Sequence, residues 1–272
     1  MQVTSNFRYR DEEGRLIIGT TIMKAFKNEE HCPAKLKALF IDELGENRPT
    51  DSMLKGSFFE TKVIGGGRDG HQVDDLPRMK SKDKETGEFK KYVDQIRIEQ
   101  QAELFPQVVE SYNFELMETQ VKLHVPQDEY ITLGTTSDAL GIAEGKETVF
   151  DVKLTKDITS TWGDFCWGSP ELMDHSQAVL TAYLYEAIYK IKPRFIYLVF
   201  DYKEKSDYEV IEKIVTATDY VELQNDIRKI IMLIGKYQND EWFTKPSYDN
   251  CRNCPLMDTC EKKVRLKPIK YI

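Results

Sequence analysis

Ser137-Asp138-Ala139 and, thirteen residues on from its aspartate, Phe150-Asp151-Val152-Lys153-Leu154 flank the turn sequence Glu144-Gly145-Lys146. The whole stretch reads as two neighbouring strands, 131 to 142 and 148 to 154, joined as a hairpin. Asp151 and Lys153 are two residues apart, so on a strand they face the same way. The residues between and beside them, Phe150, Val152 and Leu154, are apolar, as in a strand whose other face is buried. Asp138 falls near the end of the first strand, where cross-strand pairing can bring it close to Asp151. Two carboxylates suit a hard divalent cation such as Mg²⁺ or Mn²⁺. A lysine aimed at the same place can orient a water or steady a developing negative charge. Those are the requirements of metal-assisted phosphodiester hydrolysis, although Asp-x-Lys alone also describes an ordinary strand with alternating charges.

Outward from the hairpin, the pattern alternates helices and strands. Residues 19 to 44 read as helix with Ile22, Phe26, Leu36, Leu39 and Phe40 on its apolar side, split in two by Pro33. A short helical segment covers 56 to 64 and a longer helix 92 to 114, followed by a strand near 118 to 125. Beyond the hairpin come a helix over 170 to 189, a strand over 194 to 200 and another over 208 to 216. A last helix over 218 to 237 has Val221, Ile227, Ile230, Ile231 and Ile234 on its apolar side. Strands linked by a crossover helix indicate an α/β fold with a mixed sheet flanked by helices. The expected organisation is an N-terminal segment (1–55), a core (56–240) and a cysteine-rich C-terminal segment (241–272). Within the core, 65–90 is polar and reads as a flexible loop. Its Gly65-Gly66-Gly67 lacks the helix and Lys-Ser/Thr of a phosphate loop and reads as a hinge.

Composition narrows the function classes. With 40% hydrophobic residues in 272, the chain can bury a sizeable core. No apolar run reaches membrane-span length, and Met1 to Arg8 lacks a signal-peptide core, so a cytoplasmic protein without membrane partners is expected. A formal charge of −8 argues against a broad nonspecific nucleic-acid surface. A local basic patch is available at Lys262, Lys263, Arg265, Lys267 and Lys270.

The order of elements and motifs resembles the RecB-like branch of the PD-(D/E)XK nuclease superfamily, from about residue 30 to 262. Asp138 matches its first metal-binding aspartate, and Asp151-Val152-Lys153 its acid-x-lysine. His175-Ser176-Gln177-Ala178-Val179-Leu180-Thr181 resembles its glutamine-x-x-x-tyrosine helix, with Gln177 as the glutamine and Thr181 in the tyrosine slot. Gly56-Ser57-Phe58-Phe59-Glu60 resembles its first motif, with Glu60 where many members present a histidine. The resemblance implies a restriction-endonuclease-like core and a DNA nuclease of the exonuclease type.

 The implied metal site is Asp138, Asp151 and the Val152 carbonyl holding Mg²⁺ or Mn²⁺, with Glu60 helping. Lys153 and Gln177 complete the implied catalytic set. DNA, as single strands or duplex ends, is the implied substrate, in recombination, repair, or phage or CRISPR DNA processing. Partner proteins of recombination or CRISPR adaptation and a homo-oligomer are compatible with it. The competing expectation is an inactive nucleic-acid-binding or assembly protein that keeps only the fold.

Five cysteines are present, and Cys251, Cys254 and Cys260 follow the spacing C-x2-C-x5-C. Without a secretory signal, that spacing favours a metal or cluster over disulfides. Three close thiolates need a fourth ligand, and Cys32 is the candidate. Spacing alone leaves Zn²⁺ and an iron–sulfur cluster open. The resemblance, to CRISPR-associated and AddB-type members, implies a [4Fe-4S] cluster that joins the N- and C-terminal segments. Cys166 reads as a free thiol. It lies in the aromatic loop Thr161-Trp162-Gly163-Asp164-Phe165-Cys166-Trp167-Gly168, where Trp162 and Trp167 either stack on unpaired bases or pack onto the core.

Overall fold

The computed structural model describes residues 9–45, 49–66, 72–82, 84–163, 165–203, 207–239 and 241–265. Lys267 and Lys270 of the basic patch lie outside the described residues, as do Met1 to Arg8, Gly67 and Asp164. The fold is α/β, with six strands in a mixed sheet and helices beside it. The strand order is β1-β3-β4-β5-β6, with β2 also paired to β3; the strands are β1 (Leu16–Ile18), β2 (Glu115–Pro126), β3 (Ile131–Ala143), β4 (Lys146–Thr155), β5 (Arg194–Asp201) and β6 (Asp207–Glu212). Two compact units divide the chain, one drawn from 49–123 and 135–216, the other from 1–48, 124–134 and 217–272. No helix among the described residues is long and apolar enough to cross a membrane.

In the first unit, β3 and β4 form the expected antiparallel hairpin. Its turn is tighter than the sequence suggests, because Glu144 and Gly145 alone make it, at φ 51° and 72°, and Ala143 already pairs with Lys146. Positive φ at both central residues matches the right-handed twist of the strands. The hairpin feeds the parallel neighbour β5 through α5 (Ser176–Tyr189), and β6 returns antiparallel to β5. One face of this sheet carries Ala139, Phe150, Val152, Ile196, Leu198 and Phe200. Against it pack α3 (Asp51–Ile64) and α4 (Val93–Ser111), with Phe59 and Phe105 5.2 and 5.7 Å from the Phe200 ring. Helix α3 begins five residues before the expected 56, because Thr50 caps it by accepting a hydrogen bond from the Met53 amide at 3.2 Å. The helix expected over 170 to 189 is interrupted: a 3₁₀ turn, Pro170–Leu172, precedes α5, and Met173 leaves it in extended conformation. The strand expected to reach 216 ends at Glu212.

Close approach of β2 explains Gly141. A Cβ there would stand 1.9 Å from the Glu115 carbonyl oxygen, a backbone atom that cannot swing away. Gly141→Ala should therefore destabilise by about 1–3 kcal/mol or more, read as a lower unfolding midpoint. Gly56, inside α3 with nothing within 4 Å of its missing Cβ, gives the opposite expectation. Gly56→Ala should stabilise by about 0.5–1 kcal/mol, because alanine has less backbone freedom to lose. Equal midpoints for the two variants would contradict this account.

In the second unit, β1 runs parallel to the start of β3, Leu16 opposite Ile131. Helices α1 (Thr20–Lys27) and α6 (Ala217–Asn239) pack together, and the Phe26 ring lies 6.4 Å from Tyr237 and 6.3 Å from Trp242. The expected break at Pro33 opens a second helix, α2 (Pro33–Leu36), which runs into a π-helical turn over Lys37–Ile41. On α6, Leu223, Ile227, Ile230 and Ile234 are buried, while Val221 is 56% exposed. Steps of four, three and four residues hold one face, and Val221 falls off it.

Candidate active site

Pairing within the hairpin fixes which side chains share a face. Leu140 is opposite Val149 and Ala139 opposite Phe150, so Asp138 and Asp151 project together, away from the Phe150 and Val152 core. The regular pairing stops at Ala139. There the Asp138 carboxylate turns across and its Oδ2 accepts a hydrogen bond from the Val152 amide at 2.8 Å. Lys153 Nζ lies 2.6 Å from Asp151 Oδ2 and 3.7 Å from Asp138 Oδ2. Gln177, at the start of α5, donates from Nε2 to Asp151 Oδ1 at 2.9 Å. Thus Asp138, Asp151, Lys153 and Gln177 form one cluster. Glu60 stands on a separate element, half-buried on α3 beside the core residues Phe58 and Phe59.

Burial sets the electrostatics of this cluster. Asp138 has no exposed surface and Asp151 only 3%. Two buried carboxylates face one ammonium, and Asp138 Oδ1 is buried with no hydrogen-bond partner among the described residues. A buried, incompletely compensated anion is costly, and an oxygen-loving cation would relieve it. The donor chemistry therefore fits Mg²⁺ or Mn²⁺. Among the described residues, no three His, Cys, Asp or Glu side chains are grouped to hold a metal ion. The fit rests on the two aspartates and on the neighbouring backbone carbonyl of Val152.

Two further side chains border the cluster. Tyr197 is the β5 residue opposite Asp151, is 1% exposed, and lies 3.4 Å by its hydroxyl from His175 Nδ1. Burial, reinforced by Asp151 and Asp174, pushes its pKa up, so it remains a neutral phenol. His175 is oriented by its other nitrogen, Nε2, 2.8 Å from the Pro170 carbonyl. The tyrosine slot on α5 does hold threonine, and Thr181 is buried with its hydroxyl donating to the Gln177 carbonyl at 2.7 Å. Tyr197, supplied by the next strand, went unrecognised in the sequence. Its signal was positional, since Phe195, Tyr197 and Val199 alternate along the strand that pairs with β4.

The second unit gathers the cysteines. Cys32, Cys251, Cys254 and Cys260 all line one small, partly enclosed pocket. None of the five cysteines is joined in a disulfide. Backbone amides point at two of the sulfurs, Lys245 N at 3.2 Å from Cys32 Sγ and Val264 N at 3.2 Å from Cys251 Sγ. Burial raises the Cys254 pKa, and nearby Cys32 and Cys251 add to the rise. Asn250 holds the segments that carry these cysteines. Its Oδ1 accepts from the Cys32 amide at 3.1 Å, and its Nδ2 donates to the carbonyls of Glu30 and Lys245 at 2.7 and 3.0 Å. Sequence reasoning missed this buried residue beside Cys251. Cys166 is 3% exposed in the other unit and donates weakly to the Ser169 carbonyl.

No protein-family model matches the chain. No curated protein matches it in sequence either. Among solved structures, the chain shares its fold with a candidate exonuclease of Eubacterium rectale, at 19% identity and a TM-score of 0.56, over 99% of this chain and 97% of that one. The structure of SSO0001 is more distant, at 13% identity and a TM-score of 0.39, over 94% of this chain and 89% of that one.

Proposed function

We propose that this protein is a metal-dependent DNA nuclease with a restriction-endonuclease-like core, acting as an exonuclease. The observation that carries the reading is the buried Asp138 and Asp151 pair with Lys153 directed at it and Asp138 Oδ1 left without a hydrogen bond. The name of the fold neighbour from Eubacterium rectale agrees with it. Asp138, Asp151 and the Val152 carbonyl would hold Mg²⁺ or Mn²⁺, with Glu60 assisting. When bound, such an ion supplies Lewis-acid stabilisation of phosphoryl oxygens and lowers the pKa of a water. Gln177 fixes the orientation of Asp151, and the Val152 amide fixes Asp138. Lys153 has three donors, of which a bound substrate can draw one away from Asp151 towards an attacking water or a phosphoryl oxygen. In the other unit, Cys32, Cys251, Cys254 and Cys260 would hold a [4Fe-4S] cluster, with Zn²⁺ the competing occupant of four thiolates. Anaerobic purification distinguishes them, since the cluster is brown and zinc colourless.

The test is digestion of end-labelled single- and double-stranded DNA with and without Mn²⁺. Metal-dependent release of nucleotides is expected, and no cleavage of either substrate would remove the hydrolytic reading. Titration calorimetry supplies the companion measurement. Asp138→Asn and Asp151→Asn should each weaken Mn²⁺ binding, and normal binding by the double variant would place the metal elsewhere. The inactive alternative is favoured by one observation, the 2.6 Å pairing of Lys153 with Asp151, which neutralises one carboxylate without metal. A protein that binds DNA and no Mn²⁺ would establish that alternative.

A further inference from the structure

The aromatic loop between β4 and α5 divides its rings between two tasks. Trp167 is 3% exposed and meets Tyr197, the residue opposite Asp151, edge to face at 5.5 Å. Phe165 is 44% exposed and stacks on Trp167 at 5.6 Å with the planes 17° apart. Trp162 is 86% exposed. A ladder of rings thus runs from half-exposed Phe165 through buried Trp167 to Tyr197 beside Asp151, and Trp162 stands three residues before Phe165 on the same loop.

The exposure of Trp162 does not come from a loosely attached loop. At its neck, the Gly168 amide donates to the Ser160 carbonyl at 2.9 Å, and a Cβ on Gly168 would stand 2.4 Å from the Thr159 carbonyl oxygen. The Ile158 amide is held by Asp201 Oδ2 at 2.9 Å. Gly163, at φ 91°, takes a left-handed conformation at the tip next to Trp162. The anchored loop holds the whole Trp162 indole in water, where both faces of the ring are open to a stacking partner.

We propose that Trp162 is the outer platform on which an unpaired base of a single-stranded DNA substrate stacks, on a loop that the buried Trp167 ring packs against Tyr197, beside the Asp138–Asp151–Lys153 cluster. The inference rests on the nuclease reading for what happens at that cluster. The occupant follows from charge and continuity. With a formal charge of −8, the chain lacks a general attraction for phosphates, and stacking is the contact with a nucleic acid that needs no charge. An exposed lysine, Lys156, stands where the chain leaves β4 and enters this loop, available to one phosphate. Bases paired within a duplex present no free faces to a platform, so the contact selects unpaired strands or frayed ends.

Fluorescence anisotropy with a short labelled oligothymidylate, in EDTA so that nothing is cleaved, tests this. Trp162→Ala should bind about ten- to a hundred-fold more weakly than the native chain, the range expected for one lost base–aromatic stack. Trp162→Phe should retain most of the affinity. Leu172→Ala serves as the control, since Leu172 is 71% exposed in the same connection but outside the ring ladder, and it should bind as the native chain does. A duplex closed at both ends by non-nucleotide linkers, with no unpaired base and no open end, should bind all four proteins alike. Unchanged oligothymidylate affinity in Trp162→Ala, or an equal loss for the duplex, would overturn the platform. So would a response of Trp162 emission to lipid vesicles and none to the oligonucleotide. Failure of the underlying reading looks different. A native chain that digests no DNA but still binds oligothymidylate through Trp162 loses the hydrolytic role and keeps the platform. One that digests DNA and binds single strands independently of Trp162 loses the platform alone.

Discussion

Lys153→Ala should fold and bind Mn²⁺ yet cleave DNA at least about a hundred-fold more slowly, a barrier rise of about 2.7 kcal/mol. Its Nζ reaches both carboxylates, at 2.6 and 3.7 Å, from a side chain 14% exposed. Removing it takes away the group proposed to orient water and steady transition-state charge. It also leaves two buried carboxylates without their counter-ion, so the metal-free variant should melt below the native protein. Mn²⁺ should then raise the melting temperature of the variant more than that of the native chain, because the ion no longer competes with the ammonium. Lys153→Arg should not restore cleavage, since a planar guanidinium has a different shape and reach. A folded Lys153→Ala protein with full activity would end the assignment. Loss of activity accompanied by loss of Mn²⁺ binding would make Lys153 a structural residue instead.

What the sequence disclosed about this cluster followed from local periodicity. Asp138, Asp151 and Lys153 share a hairpin, and the period of two along a strand suffices to put them on one face. Gln177 was identified only through its resemblance to a family motif, since nothing in α5 itself says which of its polar residues turns to the sheet. Tyr197 lies 46 residues beyond Asp151 in sequence (197 − 151). Its place opposite that residue depends on the β4–β5 register, which the intervening helix and loop determine jointly. The aromatic loop shows the same limit, because Trp162 and Trp167 are the same residue type five positions apart (167 − 162) and only the closed neck separates exposed from buried. The helix expected from Pro170 failed at Met173 for a comparable reason. Propensity permits helix there, but His175 is held by a hydrogen bond to the Pro170 carbonyl that an unbroken helix would not make.

If the four cysteines hold the metal or cluster proposed for them, Cys32→Ser should lack it and melt well below the native chain. Cys32 and Cys251 are 219 residues apart (251 − 32), yet they line one cavity with Cys254 and Cys260. An occupant bound by all four would close that long loop, and losing it should cost several kcal/mol, as at structural metal sites generally. The backbone amides 3.2 Å from the Cys32 and Cys251 sulfurs would stabilise thiolates there. Burial, with Cys32 and Cys251 nearby, raises the Cys254 pKa, so without an occupant that thiol keeps its proton. Asn250 makes the experiment more discriminating, because it joins the same segments through three hydrogen bonds that need no metal. Asn250→Ala should lower the melting temperature while leaving the iron or zinc content near that of the native protein. Cys32→Ser should lower both, and Cys166→Ser neither. Metal analysis and thermal melts of the three variants decide the matter. If Cys32→Ser retains its metal, or if Cys166→Ser loses it, the four cysteines lining the cavity are not the ligand set.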